Sequence, residues 1–259
     1  MENKIYIVDA FADESFKGNQ AAVCPLSEWL TDDTMQKIAM ENNLSETAFF
    51  KKEGNGYKLR WFTPEYEIDL CGHGTLASAY IIFKYIETDL EVIEFSTISG
   101  ILKVSRNDDK ITMEFPIREG ERIEVSEIIF EALGVIPVAA YKSRDLMLVL
   151  EVEDDIRYLQ PNMEILKSID VDGIIVTAKG KEVDFVSRFF VPNSVINEDP
   201  VTGSAHCTLI PYWSKRLDKT IMIAEQLSKR GGKLHCELIE DKVLISGRCV
   251  VYLEGIINI

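Results

Sequence analysis

An internal repeat is the feature that most constrains the fold of this 259-residue chain. The segment RWFTPEYEIDLCGHGTLA, which begins at Arg60, returns as RFFVPNSVINEDPVTGSAHCTL, which begins at Arg188. Gly72 falls on Gly203 after a three-residue insertion, and GILKVSRNDDK later returns as GKLHCELIEDK. The repeat predicts two similar halves, and we expect a ligand to bind between them.

The boundary between the halves is predicted near Ile117. It gives an N-terminal half at 1–117 and a C-terminal half at 118–259. Residues 248–259 have no counterpart in the first half, and we expect them to return to it as a strand. No Pro-, Gly- or Ser-rich linker marks the boundary, so we expect the halves to pack closely.

Short runs that are rich in β-branched and aromatic residues predict strands. The runs are 4–11, 47–51, 57–63, 100–105, 110–115, 146–150, 173–177 and 183–191. Thr31 is predicted to cap one helix, and Ser126 to cap another that ends at Gly134. Two further helices are predicted, one at 72–85 and one from about Thr202.

The two repeated helices are apolar almost throughout, with LASAYIIF in the first and CTLIPYW in the second. A helix that is apolar on all sides is a buried helix. Because strands precede and follow each one, we predict an α+β fold in which a sheet wraps around a central helix in each half. The helix N-termini, GHGT and TGSAH, offer unpaired backbone N–H groups to an anion such as a carboxylate.

Composition excludes several classes of function. The formal net charge of -15 opposes nucleic-acid binding, which needs a basic face. No apolar run approaches the roughly 18 residues that span a bilayer, and the start of the chain lacks the features of a signal peptide. The five scattered cysteines suit a reducing compartment. We therefore expect a cytoplasmic protein without nucleic-acid or membrane partners, whose partner is a small molecule.

Three segments occur together: GNQAAV at Gly18, NLSETAFF at Asn43, and the pair LCGHGT and EDPVTGSAH. This combination resembles the PhzF family of phenazine-biosynthesis-like isomerases over essentially the whole chain. The resemblance implies a diaminopimelate epimerase-like fold: two similar domains, each a curved, mostly antiparallel sheet around a central helix, with the active site in the inter-domain cleft. It also implies a homodimer.

The resemblance assigns roles to individual residues. A glutamate shuttles a proton in that family, and Glu46 matches it, while His73 and Asp199 match residues that assist. Substrate-binding positions are carried over to Asn19, Ser45, Gly72, Gly203 and Ser204. The implied activity is that of a cofactor-independent isomerase, which moves a proton and a double bond within a small carboxylate-containing metabolite.

Structural explanations compete with these roles. Glu46 also fits a solvated residue at a strand end, and His73 and Asp199 also fit helix caps. The surrounding motifs favour the functional interpretation. In the second half, Gly173 stands at the strand start that corresponds to Glu46, so the acid is not duplicated and the site is expected to be one-sided.

Cys71 supports a rival hypothesis, because LCGHG is similar to motifs of proline racemases and diaminopimelate epimerases, which use two cysteines as acid and base. The repeat places Thr202 opposite Cys71, and Thr202 cannot be the second thiolate. We therefore expect Cys71 to be a small buried residue. A non-catalytic binding protein on the same scaffold is the remaining alternative, and it has no need for Glu46.

No metal site is predicted. The three histidines and five cysteines show no ligand spacing such as HExxH or CxxC. The Gly72-His73-Gly74 turn lacks the third glycine of a dinucleotide fingerprint and the lysine of a phosphate-binding loop, so no cofactor is implied.

Overall fold

The computed structural model describes residues 2–194 and 196–259, and within them the chain divides into two compact units. The first unit ends at Phe115 and also includes Ile245–Ile259, while the second unit is Pro116–Leu244. No helix in the described part of the chain is long and apolar enough to cross a membrane.

Strands dominate the chain up to Pro116. The elements are β1 Glu2–Ala10, β2 Asn19–Leu26, α1 Asp32–Asn42, β3 Glu46–Glu53, β4 Gly56–Phe62, β5 Glu67–Ile68, α2 Gly72–Ile81, a π-helical turn Ile82–Ile86, β6 Val92–Thr97, β7 Gly100–Asn107 and β8 Lys110–Pro116.

The rest of the chain adds most of the helices. Its elements are β9 Glu121–Ile123, α3 Glu127–Leu133, β10 Ala139–Lys142, β11 Leu146–Val149, α4 Glu153–Arg157, α5 Met163–Leu166, β12 Ile174–Lys179, β13 Phe185–Phe190, β14 Glu198–Asp199, α6 Gly203–Leu217, β15 Ile221–Gln226, β16 Gly232–Ile239, β17 Lys242–Gly247 and β18 Cys249–Asn258. The predicted α+β class is confirmed.

In the first unit, β1 lies between β2 and β18 and is antiparallel to both. β2 runs parallel to β3, and β3 pairs antiparallel with β4. The apolar helix α2 packs against β1, β2 and β3, and α1 packs against β3 and β4. Met35, Ile38 and Ala39 form the buried face of α1, and the Thr34 N–H donates to the Thr31 side chain at 3.2 Å, as the sequence predicted.

The second unit repeats this arrangement. β12 runs parallel to β11 and antiparallel to β13. On one side of these strands, an apolar cluster joins them to α3, α4 and α5. On the other side lies α6, whose Trp213 donates through Nε1 to the Thr177 hydroxyl of β12 at 2.9 Å.

Strand register defines which residues of the two units correspond. Thr47 pairs with Phe62, and Ile174 pairs with Phe190, so Glu46 and Gly173 occupy the same position in the repeat. A Cβ atom on Gly173 would lie 2.2 Å from Cζ of Phe189. Because that ring fills the space, Gly173 cannot be replaced by an acid without displacing Phe189.

The repeated arginine has a structural role in both units. Arg60 donates to both carboxylate oxygens of Glu67, each at 2.7 Å, and Arg188 donates to those of Glu198 at 2.7 and 2.9 Å. Bidentate pairs of this kind hold two strands in a fixed geometry. Here they join β4 to β5 and β13 to β14, the short strands that lead to α2 and α6.

The sequence prediction differs from the structure in several details. The α-helix from Gly72 ends at Ile81, and a π-helical turn replaces the predicted continuation to Tyr85. Ser126 occupies the N-cap position of α3, but its side chain makes no capping hydrogen bond. β2 was not predicted, because this strand is largely buried on both faces and has no apolar and polar alternation.

We expect Arg188→Met to lower the free energy of unfolding by about 3 kcal/mol, because it leaves the partly buried Glu198 unpaired. Arg188 also donates to the carbonyl oxygens of Ile156 and Leu159 at 3.2 and 2.7 Å. Urea unfolding of purified variants measures the loss. Lys51→Met is the control, since its partner Glu28 is exposed, and it should change the value by less than about 1 kcal/mol. Equal losses in the two variants would contradict the assignment.

Candidate functional site

Four side chains meet at the N-terminal end of α2: Asn19, Glu46, Cys71 and His73. Asn19 is the first residue of β2, and Glu46 is the first residue of β3. Because β2 and β3 are parallel neighbours, these strand starts lie at the same edge of the sheet. Residues that are far apart in the sequence are thereby brought to one helix end.

The closest polar contact in this cluster joins His73 to Glu46. Nε2 of His73 lies 2.7 Å from Oε2 of Glu46, and the two side chains are 6% and 16% exposed. At this distance a charged imidazole and a carboxylate form an ion pair, although Oε2 of Glu46 accepts no hydrogen bond of good angular geometry from any described residue.

Asn19 fixes the other side of the imidazole. Its Nδ2 lies 3.1 Å from Nδ1 of His73, and its side chain is fully buried. A charged imidazole carries hydrogen on both nitrogens, so the amide of Asn19 turns its oxygen to accept the Nδ1 hydrogen, while the Nε2 hydrogen faces Glu46. Asn19 therefore sets the orientation of the His73 ring.

Cys71 is the N-cap residue of α2, and its sulfur accepts the Gly74 N–H at 3.3 Å. The sulfur lies 3.7 Å from Nδ1 of His73. Burial, reinforced by the Glu46 carboxylate, raises the pKa of the Cys71 thiol to about 11. Cys71 is therefore a neutral thiol near pH 7 that caps the helix and packs against the imidazole.

The pKa of His73 is held well above its usual value. Burial opposes the charged imidazole, but the Cys71 sulfur and the Glu46 carboxylate favour it more strongly. Since Cys71 is a neutral thiol near pH 7, we attribute the increase mainly to Glu46. The cluster thus holds a charged imidazole beside a carboxylate in a place with little water.

Glycine at position 74 permits this close packing. A Cβ atom there would lie 2.9 Å from both the Cys71 sulfur and Cδ1 of Trp61. Gly72 is the buried first residue of α2, and Ser45 lies half-buried immediately before Glu46. These predicted substrate-binding residues therefore border the cluster.

The cluster also contains potential metal ligands. Glu46, Cys71 and His73 each offer one ligand atom, and the three atoms lie within 4.8 Å of one another. A spacing search misses this group, because Glu46 is distant in the sequence. An ion bound by both His73 and Glu46 would hold their ligand atoms more than about 3 Å apart, since zinc bonds to nitrogen and oxygen are about 2.0 Å long. The observed 2.7 Å contact fits a direct ion pair better.

The remaining predicted residues, Asp199, Gly203 and Ser204, lie in the second unit at the N-terminal end of α6. The Thr202 hydroxyl donates to Oδ2 of Asp199 at 2.5 Å. The buried Gln226 accepts the Thr202 N–H at 2.8 Å and donates to the Asp199 carbonyl at 2.7 Å. Gln226 thus holds the segment that carries Asp199, and no local sequence signal identifies it.

A family model for phenazine biosynthesis-like proteins, PhzC-PhzF, matches residues 8–255 of the chain. The chain is 46% identical to a Pseudomonas aeruginosa protein named as an uncharacterized isomerase, over the full length of both. It is 39% identical to the human phenazine biosynthesis-like domain-containing protein, with 98% of this chain and 99% of the human protein covered.

Solved structures give the same family. A PhzF family protein of Enterococcus faecalis has a TM-score of 0.98 at 50% identity, with both chains fully covered. A hydroxyproline epimerase of Agrobacterium vitis has a TM-score of 0.66 at 11% identity, with 99% of this chain and 92% of the other covered, and therefore shares the fold alone. The chain belongs to the PhzC-PhzF family of phenazine biosynthesis-like proteins.

Proposed function

We propose that this protein is an isomerase that moves a proton, and with it a double bond, within a small carboxylate-containing metabolite. The observation that carries the proposal is the buried contact of 2.7 Å between Glu46 and His73. Relatives named as isomerases, at 46% identity, support the reaction class. The proposal includes the homodimer that the PhzF resemblance implies.

Glu46 acts first as a base and then as an acid. Its carboxylate takes a proton from a carbon beside the substrate's unsaturated system, and the electrons of the broken C–H bond form the new double bond. The same proton returns to a different carbon, so that no oxidant or reductant is consumed. One carboxylate oxygen faces His73, which leaves the other to face the substrate.

His73 is proposed to keep Glu46 in its reactive form. A charged imidazole stabilises the carboxylate before proton transfer, and its Nε2 hydrogen fixes the carboxylate's orientation. Asn19 acts through His73, because it holds the ring from the opposite side at 3.1 Å. Asn19 is thus a positioning residue as well as a candidate for substrate binding.

The second unit is proposed to bind the substrate's carboxylate at the start of α6. The backbone N–H groups of Gly203 and Ser204 lie in the first turn of this 15-residue helix, where partial positive charge favours an anion. Asp199 is proposed to assist the proton transfer. Its orientation is fixed by the Thr202 hydroxyl and by Gln226.

A two-cysteine racemase is less well supported. Thr202 is the N-cap of α6, as Cys71 is of α2, so a second thiol is missing at this position. Cys207 lies buried inside α6, and burial raises the pKa of its thiol to about 11. A thiol that remains protonated cannot act as the base of such a pair.

Substitutions of Glu46 and Cys71 separate the isomerase hypothesis from the racemase hypothesis. Glu46→Gln should reduce substrate-dependent exchange of carbon-bound hydrogen with D2O by about 100-fold or more, because the base is removed. Cys71→Ser should retain most of the exchange, since serine is an equally good N-cap. Proton NMR of substrate mixtures from cell-extract metabolites measures the exchange.

The reverse pattern, with exchange lost in Cys71→Ser and kept in Glu46→Gln, would support the racemase. A bound metabolite that shows no deuterium uptake with the wild-type protein would support the binding-protein alternative. Circular dichroism of both variants checks that each is folded.

The contact between His73 and Glu46 should make the stability of the protein depend on pH. Because the pKa of folded His73 lies above its unfolded value of 6.5, the His73–Glu46 pair stabilises the protein fully below pH 6.5. This contribution is lost as the pH rises through the folded-state pKa. His73→Asn should therefore cost roughly 2 kcal/mol of stability at pH 6 and progressively less in alkaline solution. Urea unfolding over a pH series measures the difference, and a constant or growing difference would contradict the ion pair.

We expect the hydrogen exchange to need no metal ion. If Glu46 and His73 contact each other directly, with no metal ion between them, dialysis against EDTA should leave the exchange rate unchanged. Added zinc should inhibit, because it would take the same three ligand atoms that Glu46, Cys71 and His73 offer. Loss of exchange after dialysis, with recovery on adding a metal, would show that the reaction needs an ion.

A further inference from the structure

Every polar group of Thr202, the N-cap residue of α6, is hydrogen-bonded to a side chain. Gln226 accepts the Thr202 N–H at 2.8 Å and donates to the Thr202 hydroxyl at 3.2 Å. That hydroxyl donates in turn to Oδ2 of Asp199 at 2.5 Å. The Thr202 carbonyl oxygen lies 2.8 Å from Nδ1 of His206, which is 0% exposed. A buried imidazole therefore supports the start of α6.

This contact fixes the position of the hydrogen on the imidazole. A carbonyl oxygen can only accept, so the hydrogen lies on Nδ1 and His206 is the donor. Burial lowers the pKa of His206 to about 4, so the ring is neutral near pH 7 and Nε2 carries no hydrogen. Nε2 is buried and accepts no hydrogen bond from any described residue. The ring thus donates to Thr202 and has no hydrogen-bond partner on its other side.

The first unit supports its central helix at the same position with a smaller residue. Thr75 corresponds to His206 in the repeat, and each lies four residues after the N-cap of its helix. The Thr75 hydroxyl donates to the Cys71 carbonyl at 2.6 Å. A threonine is therefore sufficient to bond the N-cap carbonyl, whereas the unpaired Nε2 of His206 costs folding free energy. The imidazole exceeds what the helix start alone requires.

Aromatic packing restricts the His206 ring. Its centroid lies 5.9 Å from that of Phe185 on β13, and Phe185 stacks on Trp213 of α6 at 5.9 Å. A helical threonine has two accessible side-chain rotamers, whereas a packed ring holds its donor in one direction. The Thr202 carbonyl is therefore held more rigidly than a hydroxyl would hold it.

The groups that depend on Thr202 explain why rigidity is needed in the second unit. Thr202 directly precedes Gly203 and Ser204, whose N–H groups form the proposed anion site, and its hydroxyl bonds Asp199. In the first unit, the side chain of the N-cap Cys71 accepts an N–H of its own helix instead. The N-cap side chain that donates to a carboxylate is thus the one whose carbonyl is held by an imidazole.

We propose that His206 is a positioning residue, which acts through Thr202 to hold Asp199 and the first turn of α6 in the geometry that the reaction needs. This inference rests on the proposed function for the roles of Asp199, Gly203 and Ser204. The connection runs from Nδ1 of His206 to the Thr202 carbonyl, and from the Thr202 hydroxyl to Asp199. All of these residues belong to the unit Pro116–Leu244.

Two substitutions separate the hydrogen bond of His206 from its packing. His206→Asn keeps an amide donor near the position of Nδ1 but loses the ring, whereas His206→Phe keeps a ring against Phe185 but loses the donor. His206→Phe should therefore unfold at a higher urea concentration than His206→Asn. Exchange of carbon-bound hydrogen with D2O, measured with the same cell-extract metabolites, should show the opposite order. We expect His206→Asn to stay within about threefold of wild type and His206→Phe to fall by about tenfold or more.

A merely structural role gives a different pattern, in which the exchange rate follows stability and His206→Asn is the slower variant. That pattern, or equal exchange in the two variants, would overturn the proposal. Thr177→Val is the control, because Thr177 is also buried and bonds α6, but through Trp213, far from Thr202 along the helix. It should lower stability and leave the exchange rate unchanged. A loss of exchange in Thr177→Val as large as in His206→Phe would show that any loosening of α6 has this effect.

NMR spectroscopy tests the contact without the isomerase chemistry. In protein labelled with nitrogen-15, the histidine signal that disappears in His206→Asn should be that of a neutral Nδ1–H tautomer from about pH 5 to about pH 9. The backbone amide signals of Gly203 and Ser204 should stay near their wild-type positions in His206→Asn and shift or broaden in His206→Phe. If the wild-type protein catalyses no exchange, the proposed function fails, and these signals still decide whether His206 holds the helix start. An Nε2–H tautomer, or unchanged amide signals in His206→Phe, would contradict the positioning role.

Discussion

The structure depends on the burial of two helices that are apolar on nearly every side. The first-turn N–H groups of α2 and α6 have no partners within their own helices, and water is largely excluded from both ends. In the first unit, the Cys71 sulfur accepts one of these N–H groups. In the second, Gln226 accepts the N–H of the capping residue Thr202. The polar residues of the candidate site are therefore located where the helices require polar partners.

The internal repeat separates what the scaffold needs from what the chemistry needs. Arg60 with Glu67, and Arg188 with Glu198, form the same bidentate pair in both units, because both units must hold a short strand before the buried helix. The residues at the helix ends are not conserved between the units. His73 corresponds to Ser204, so the imidazole that contacts Glu46 has no equivalent in the second unit.

Much of the fold could be predicted from the sequence, because repeat spacing, helix caps and apolar runs are local signals. The contact between Glu46 and His73 could be predicted only through family motifs, since it depends on the parallel pairing of β2 with β3. Gln226 and Asp145 carried no signal at all. Gln226 reaches Asp199 because β15 runs beside β13. Asp145 stands out only in the structure, where its carboxylate accepts no hydrogen bond from any described residue.

The second unit also carries an acid beside the position that corresponds to Glu46, but on the neighbouring strand. Ala21 pairs with Glu46 in the first unit, and in the second unit the equivalent neighbours are Asp145 and Gly173, which precede the pair Leu146 and Ile174. Each unit therefore has one acid beside one small residue at this position, but on opposite strands of the parallel pair. Phe189 occupies the space beside Gly173, which leaves the neighbouring strand as the place for an acid. Glu46 lies 2.7 Å from an imidazole, whereas the carboxylate of Asp145 accepts no hydrogen bond from any described residue, so the two units surround the acid at this position differently.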